Sequence, residues 1–530
     1  MNADGYLSYT QFDPATGAVV EQFQDVNTSD TSEFSNLPSG WTTPTGGGLN
    51  LVTSYVVDSL GRVTKQTNPN GTVDYFVYID ANNQVNEYDG WNSSTDKPTG
   101  PTQVTIDDMA AGYTETLTMS ATPAVSGGVP TGTESIADVQ SLSRSYTNDA
   151  GQVIEEDNYF NLGGLTYSSG AMGTSGVNYY QTQYGYDADG RQSVVIDPQG
   201  TITITVFDGQ GREVSTWVGT DDTPSSGAWS PTNNTAPSNM VETKSFVYDN
   251  GGVGDGDLTQ VTQYPGGSAA NRVTDYFYDW EDQQVAEKDG VSSTETDGVN
   301  RPLTVYTYNN LNEVIETQVY SGDGITPTIV SGELSLPSGI SSDLQAETVT
   351  SYDNQGNVYE TQQYAVTPTT GAVSSSALTT NNYYDPDGNL IATSAPGGLW
   401  TKDVYNGAGE EVMEYQTNGG SGTSYADAET VSGDVVLSQT QTIYDGDGNV
   451  TETITSDRFN TDSTTATGAL GTPTTGVEAR VYYVGNYYDL ADRLVASVNV
   501  ATNGGTAWTM PATQPARSTS VLETTYPFTA

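Results

Sequence analysis

Tyr186-Asp187-Ala188-Asp189-Gly190-Arg191 recurs 21 positions later as Phe207-Asp208-Gly209-Gln210-Gly211-Arg212. Between the copies lie Ser193-Val194-Val195-Ile196, the turn residues Pro198-Gln199-Gly200, and a run from Thr201 to Val206. Asp at the first position of a tight turn can accept backbone N–H groups two residues on. Gly at the fourth position takes the left-handed backbone angle that closes a bulged hairpin. Runs of Val, Ile and Thr on either side predict strands. Thr203 and Thr205 alternate with Ile202, Ile204 and Val206, as in a half-buried strand. The aromatic residue before the Asp should end the incoming strand and face the packed side. The unit is strand, reversal, strand, turn.

Twelve further copies begin at Asp13, Asp58, Asp80, Asn148, Asp249, Asp279, Asn309, Asp353, Asp385, Asn406, Asp445 and Asp489. The fourth position tests the pattern independently. It is Gly in nine copies, among them Gly356, Gly388 and Gly448. It is Asn83, Asn312, Asp282 or Asp492 in four more, and these are the types that visit the left-handed region. In the first copy Gly17 comes one residue late. Tyr-Asp occurs eight times, including Tyr352-Asp353, Tyr384-Asp385 and Tyr444-Asp445, where composition alone gives about three.

The pattern in Tyr352-Asp353-Asn354-Gln355-Gly356-Asn357-Val358 and Tyr444-Asp445-Gly446-Asp447-Gly448-Asn449-Val450 resembles the YD repeat of Rhs-type proteins. Related repeats form the shells of bacterial Tc toxins and teneurins. The resemblance spans nearly the whole chain and implies an all-β fold of repeated antiparallel hairpins in a spiralling sheet, shell or tube. It also implies that the repeat is scaffold.

The chain has 530 residues, beyond a typical single core, but repeats escape that limit because each unit packs on its neighbours. Hydrophobic content of 34% and a net charge of −51 would by themselves suggest disorder. The 35 Tyr and the period-2 alternation argue against it. No Cys and no His are present. That excludes disulfides, thiolate nucleophiles, a Ser-His-Asp triad and the commonest metal ligand. With 15 Lys or Arg against 66 Asp or Glu, nucleic acid and anionic headgroups are repelled. No apolar run reaches the 18 residues of a membrane helix. Met1-Asn2-Ala3-Asp4-Gly5 does not open a signal peptide.

We read residues 1–530 as one continuous array with loop inserts near 28–48, 91–145, 219–241, 321–347, 365–380, 416–437 and 457–480. These are Ser-, Thr- and Gly-rich and should project from the sheet. The 91–145 stretch holds strand-like pieces at 103–106 and 113–119. The only helical candidate is 341–347, about two turns. Asn2-Ala3-Asp4-Gly5 fits the reversal without its incoming strand, and Tyr526 to Ala530 reads as an incoming strand without its reversal. Two expectations follow: a segment of a longer YD-repeat protein, or head-to-tail assembly by strand addition.

Asp-x-Asp-Gly at Asp187, Asp385 and Asp445, and Asp255-Gly256-Asp257, place oxygens at alternate positions as calcium loops do. They lack the further acidic positions of an EF-hand, and turn chemistry explains most of them. Asp255 and Asp257, in a Gly-rich loop, are the calcium candidates; no other cofactor is expected. No acidic pair stands out for glycoside hydrolysis, no Gly-x-Ser-x-Gly elbow occurs, and Gly251-Gly252-Val253-Gly254 opens no helix for a phosphate. Trp91, Trp217, Trp229, Trp400 and Trp508 could stack on sugars, with Trp229 and Trp508 favoured by their place in inserts.

The functional expectation is a non-enzymatic, extracellular or cell-surface structural protein of a filament, sheath or adhesin. It would self-associate and could carry a surface carbohydrate site. The alternative is part of an Rhs- or Tc-type shell enclosing a toxin or effector. Such proteins carry a core region with a self-cleaving aspartate, and no counterpart is found, since Asp385-Pro386 is an ordinary repeat.

Overall fold

Short antiparallel strands run through the computed structural model, which describes all residues except 31–33, 35–36, 45–46, 253, 296–298, 300, 421, 462–465 and 527–530. Thirty-one strands belong to one antiparallel sheet. The chain divides into two compact units. One comprises Met1–Ser143, Leu162–Met172 and Thr380–Ala530; the other comprises Arg144–Asn161 and Gly173–Thr379.

In the first unit the strands from Tyr9–Phe12 to Tyr113–Met119 pair in chain order, each antiparallel to the next. So do those from Leu390–Ser394 to Leu522–Thr525. In the second unit the same meander runs from Val153–Tyr159 to Val358–Thr367. The 91–145 stretch contributes Thr102–Asp108 and Tyr113–Met119 to the sheet.

The reversals set the register. Tyr186 pairs with Gln192, Phe207 with Glu213, Tyr352 with Val358, Tyr384 with Leu390 and Tyr444 with Val450, and at each of these pairs the register slips by one residue. The slip is a β-bulge, which raises local twist. The fourth residue is left-handed as expected, with φ of 80° at Gly190, 86° at Gly211, 85° at Gly356, 87° at Gly388 and 85° at Gly448. Asn83, Asp282, Asn312 and Asp492 also have positive φ. The copy at Asp249 departs from this: Gly252 has φ of −99° and Asn250 is left-handed instead. Its Gly-rich insertion delays closure until the Asp249 N–H reaches the Asp257 carbonyl at 2.9 Å.

Three of the inserts fold back on the sheet and supply a second layer, because the strands' apolar face needs cover. Met240 and Trp229, from the insert after Glu213–Gly219, pack on Ile202 and Ile204. Ile325, Leu334, Leu336 and Ile340 pack with Ala286, Leu303, Val305, Tyr320 and Leu344. Leu470 and Val477 meet Val436 and Ala479. Residues 365–380 are mostly strand: Val358–Thr367 and Ala372–Tyr384 lengthen around a reversal at 368–371. The 341–347 candidate is not a helix. A 3₁₀ turn at Ile340–Asp343 leads into the strand Leu344–Tyr352, whose Thr, Val and Tyr residues favour pairing over helix. The one α-helix among the described residues is the single turn Tyr425–Ala428, capped by Ser424 and Asp427.

Scarce cations pin several inserts. Lys402, 2% exposed, donates to the Thr430 carbonyl at 2.7 Å and pairs with buried Asp434 at 2.7 Å. Lys288 pairs with Glu295 at 2.6 Å and Arg301 with Asp323 at 2.5 Å. Buried charges need such partners.

Candidate functional site

Each reversal is built around one carboxylate or amide. Asp187 Oδ1 accepts the backbone N–H groups of Asp189 and Arg191, both at 2.9 Å, while Oδ2 accepts Arg191 Nε at 2.7 Å. Asp208 holds Gln210, Arg212 N–H and Arg212 Nε at 2.8, 3.0 and 2.8 Å. Asp353 and Asp445 do the same with Asn357 and Asn449 as side-chain donors. Asp385 likewise holds Asn389 through both its N–H and Nδ2. The backbone N–H groups of Arg191 and Arg212 hold the Asp187 and Asp208 carboxyls below the usual carboxylate range.

The fifth position complements the first. Asp58, Asp187, Asp208 and Asp489 face Arg. Where the first residue is Asn, its Nδ2 donates and the fifth residue accepts: Asn148 with Gln152 at 2.8 Å, Asn309 with Glu313 and Asn406 with Glu410 at 2.7 Å. Asp187→Asn should therefore set two donors, Nδ2 and Arg191 Nε, against each other. Faster hydrogen exchange is expected at the Asp189 and Arg191 amides. Adding Arg191→Gln, which restores the Asn148–Gln152 pairing, should slow exchange again.

The aromatic before the Asp joins one hairpin to the previous one. Tyr186 donates its hydroxyl to the Val153 carbonyl at 2.5 Å, Tyr352 to Val314 at 3.0 Å, Tyr444 to Glu411 at 2.9 Å and Tyr488 to Val450 at 3.0 Å. Tyr308 and Tyr405 bond Gln284 and Leu390 in the same way. Each acceptor lies five residues past the first position of the preceding reversal. Phe207 has no hydroxyl; Arg191 lies over its ring at 4.8 Å, and Arg212 lies over Tyr248 at 4.4 Å.

Asp-x-Asp-Gly has a role that turn chemistry did not reveal. In the first unit Asp387 accepts the N–H of Ala3 at 2.9 Å, that of Asp4 at 3.3 Å and Asn2 Nδ2 at 2.7 Å. Asp447 accepts the Asn70 N–H at 3.3 Å and Thr72 Oγ1 at 3.4 Å, while Asp492 takes Asn70 Nδ2 at 3.2 Å. The second Asp thus ties its own reversal to one more than 370 residues away in sequence. Asp189, in the second unit, instead pairs with Arg191 at 3.0 Å.

Two acidic clefts flank these ties. One, of about 550 Å³, is lined by Asp74, Asp89, Glu410, Asp447 and Asp492. The other, of about 450 Å³, is lined by Asp4, Asp385, Asp387, Asp403 and Glu429. Burial, then the neighbouring Asp385 and Asp387, raise Asp4 to about 6. Burial and Asp89 raise Glu87 to about 7. Burial with Glu411 and Glu414 raises Asp403 to about 7, and burial with Asp492 and Asp445 raises Asp447 to about 6.

Among the described residues no group of three acidic side chains is placed to hold a metal ion. Asp255 is exposed and Asp257 half-buried. The carboxylate shaping their loop is Asp249, which accepts the Gly256 N–H at 2.9 Å and Arg212 Nη1 at 3.0 Å. Val253 of the Gly-rich run and residues 527–530 of the expected last strand lie outside the described residues. Trp91 and Trp400 are buried. Trp217 meets Trp229 edge-on, with ring centres 5.6 Å apart, and Trp508 packs on Tyr483. The most exposed indole among the described residues is Trp280, at 70% against 39% for Trp41, and sequence reasoning passed over it because it sits inside a repeat. Asp197 was missed too. It makes the reversal bonds, to Gln199 at 2.9 Å and Thr201 at 2.7 Å.

Fold and reversal together define a chain of antiparallel hairpin repeats, each closed around an Asp or Asn. No protein-family model matches the sequence, and no curated protein matches it. Among solved structures the chain is similar to TcdB2-TccC3, at 12% identity over 93% of this chain and 27% of that one, with a TM-score of 0.31. It is also similar to a Tc holotoxin pore of Photorhabdus luminescens, at 12% identity over the same shares, with a TM-score of 0.28. A porin-like protein of Bacteroides uniformis matches over 59% of this chain and 91% of that one, at 10% identity and a TM-score of 0.15. The chain spans about a quarter of the length of the two Tc structures. No helix among the described residues is long and apolar enough to cross a membrane.

Proposed function

We propose that this chain is a non-enzymatic scaffold: a stretch of β-wall of the kind that Rhs- and Tc-type shells use to enclose cargo, acting outside the cell. The observation that carries the reading is the pair of reversal-to-reversal ties in the first unit, from Asp387 to Ala3 and from Asp447 to Asn70. Such bonds let successive stretches of a winding sheet close against one another. The reversal carboxylates, which are the most regular acidic groups in the chain, are already bonded to backbone N–H groups, as befits scaffold rather than catalyst. Electron microscopy of the purified protein tests this. Closed-walled particles with internal density are expected, and solid fibres would overturn the shell reading.

A second reading is a filament or surface adhesin assembled by strand addition. It rests on the strands Tyr9–Phe12 and Leu522–Thr525, each paired along one side among the described residues. Concentration-dependent fibre growth, blocked by Pro in place of Thr10 or Thr524, would support it.

A further inference from the structure

We infer that the cleft beside the segment Leu162–Met172 is a binding site for a small amphipathic amine, an apolar tail carrying a protonated nitrogen. That segment belongs to the first unit. It is tied to the strand Tyr113–Met119 at two points. Tyr167 donates its hydroxyl to Glu115 Oε1, and Tyr113 donates its own to the Ser169 carbonyl, both at 2.6 Å. Glu115 is fully buried and Tyr113 is 4% exposed, so both rings are held in place.

Two spaces share Tyr167 and Ile136 as walls. The first is about 340 Å³, and Val139, Leu162, Leu165 and Met172 line it with those two. Such walls suit a hydrocarbon tail. The second is about 550 Å³ and is lined by Tyr113 and Ile106 together with Asn82, Gln84 and Asp108. Both volumes fall within the range of small-ligand sites. Met109, 78% exposed, also lines the second space and is a flexible side chain able to fold over a bound tail.

Strand register places the polar groups together. Gln84 pairs with Ile106, and Asp108 pairs with Tyr113. Alternation therefore puts Gln84, Ile106, Asp108 and Tyr113 on one face. Gln84 and Asp108 are diagonal neighbours on it, about 7–8 Å apart and within reach of one head group. Gln84 gives its Nε2 to Asn86 Oδ1 at 2.7 Å, and its Oε1 accepts from no described group. Asp108 Oδ1 takes the Ala110 and Ala111 N–H groups at 3.1 and 3.0 Å, while its Oδ2 accepts from no described group. No Lys or Arg lines either space. Two acceptors, one of them charged, suit a head that donates hydrogen bonds and carries positive charge. The chain's charge of −51 favours the same sign of ligand.

The test titrates butyl- to dodecylamine against the full chain, with octanol and octanoate beside them, by calorimetry and ligand-observed NMR below micelle-forming concentrations. Affinity is expected to rise about fourfold per added methylene until the apolar space fills, then to level off. Octylamine should bind about tenfold more tightly than octanoate. Asp108→Asn keeps an acceptor for the reversal, as Asn148 does, so its melting midpoint should match the parent while octylamine binding falls severalfold and octanol binding does not change. Ala137, exposed and on the wall of the first space, is the second variant: Ala137→Trp should abolish the dependence on chain length. The proposal fails if octylamine binds no better than octanoate, if Asp108→Asn and Ala137→Trp bind as the parent does, or if affinity climbs through dodecylamine without levelling, which is partition onto an open surface. None of these outcomes bears on whether the wall is closed.

Discussion

Gly419→Ala is expected to destabilise the first unit by about 4 kcal/mol, summing the cost of a left-handed Ala and an overpacked core. Gly419 has φ of 65°, and a Cβ there would lie 2.2 Å from Trp400 Nε1. Trp400 cannot yield: it is 5% exposed, stacked on Tyr383 at 5.3 Å, and packed with Ala392 and Ala428. The strand must shift or the insert over Trp400 must lift. The comparison variant is Gly200→Ala, where φ is 84° but nothing lies within 4 Å. It carries the backbone cost alone, about 1–2 kcal/mol. Thermal or denaturant unfolding monitored by tryptophan fluorescence checks the pair; equal losses would show that the indole accommodates the methyl.

Stability should be highest in mildly acidic solution and fall on both sides. Asp4, Glu87, Asp403 and Asp447 are raised in the folded chain to about 6, 7, 7 and 6, against about 4 unfolded. Folding therefore favours their protonated forms, and the stability they contribute is lost as pH rises from about 4 through 6–7. The reversal carboxylates run the other way. Asp187, Asp197 and Asp208 are lowered, chiefly by backbone N–H bonds to Arg191, Thr201 and Arg212. Their contribution is present above about 4 and is lost as pH falls through their folded values.

A melting midpoint about 5 °C higher at pH 5 than at pH 8 is expected, after discounting for solvent screening at partly exposed carboxylates. Asp403→Asn should raise the midpoint at pH 8 and leave that at pH 5 nearly unchanged. A midpoint that climbs steadily from pH 5 to pH 8 would contradict the assignment.

Local chemistry was legible in the sequence and long-range placement was not. Asp187, Gly190 and Arg191 could be read together because the bonds that close their reversal lie within five residues. The strand runs beside them followed from alternation in the same window. Asp387 and Asp447 looked like ornaments on a turn, because their partners, Ala3 and Asn70, are separated from them by most of the chain. The inserts read as loops because their cover residues, such as Met240, Leu334 and Leu470, are single apolar positions among Ser, Thr and Gly, with no period to betray a packed face. Asp197 was hidden behind the Pro that follows it, which drew attention to the wrong start of the turn. Trp280 was masked by its own repeat.

Because each strand pairs with its immediate sequence neighbours, nearly every ladder can form as soon as its second strand leaves the ribosome or an export pore. Nothing in that process waits for distant chain. The Asp387–Ala3, Asp447–Asn70 and Arg493–Thr99 bonds are exceptions, since each joins residues more than 370 positions apart. Assembly should accordingly have two clocks, a fast vectorial one for the hairpins and a late one for these clasps. A nascent chain halted before residue 380 should be fully pleated, with its opening reversal still unclasped.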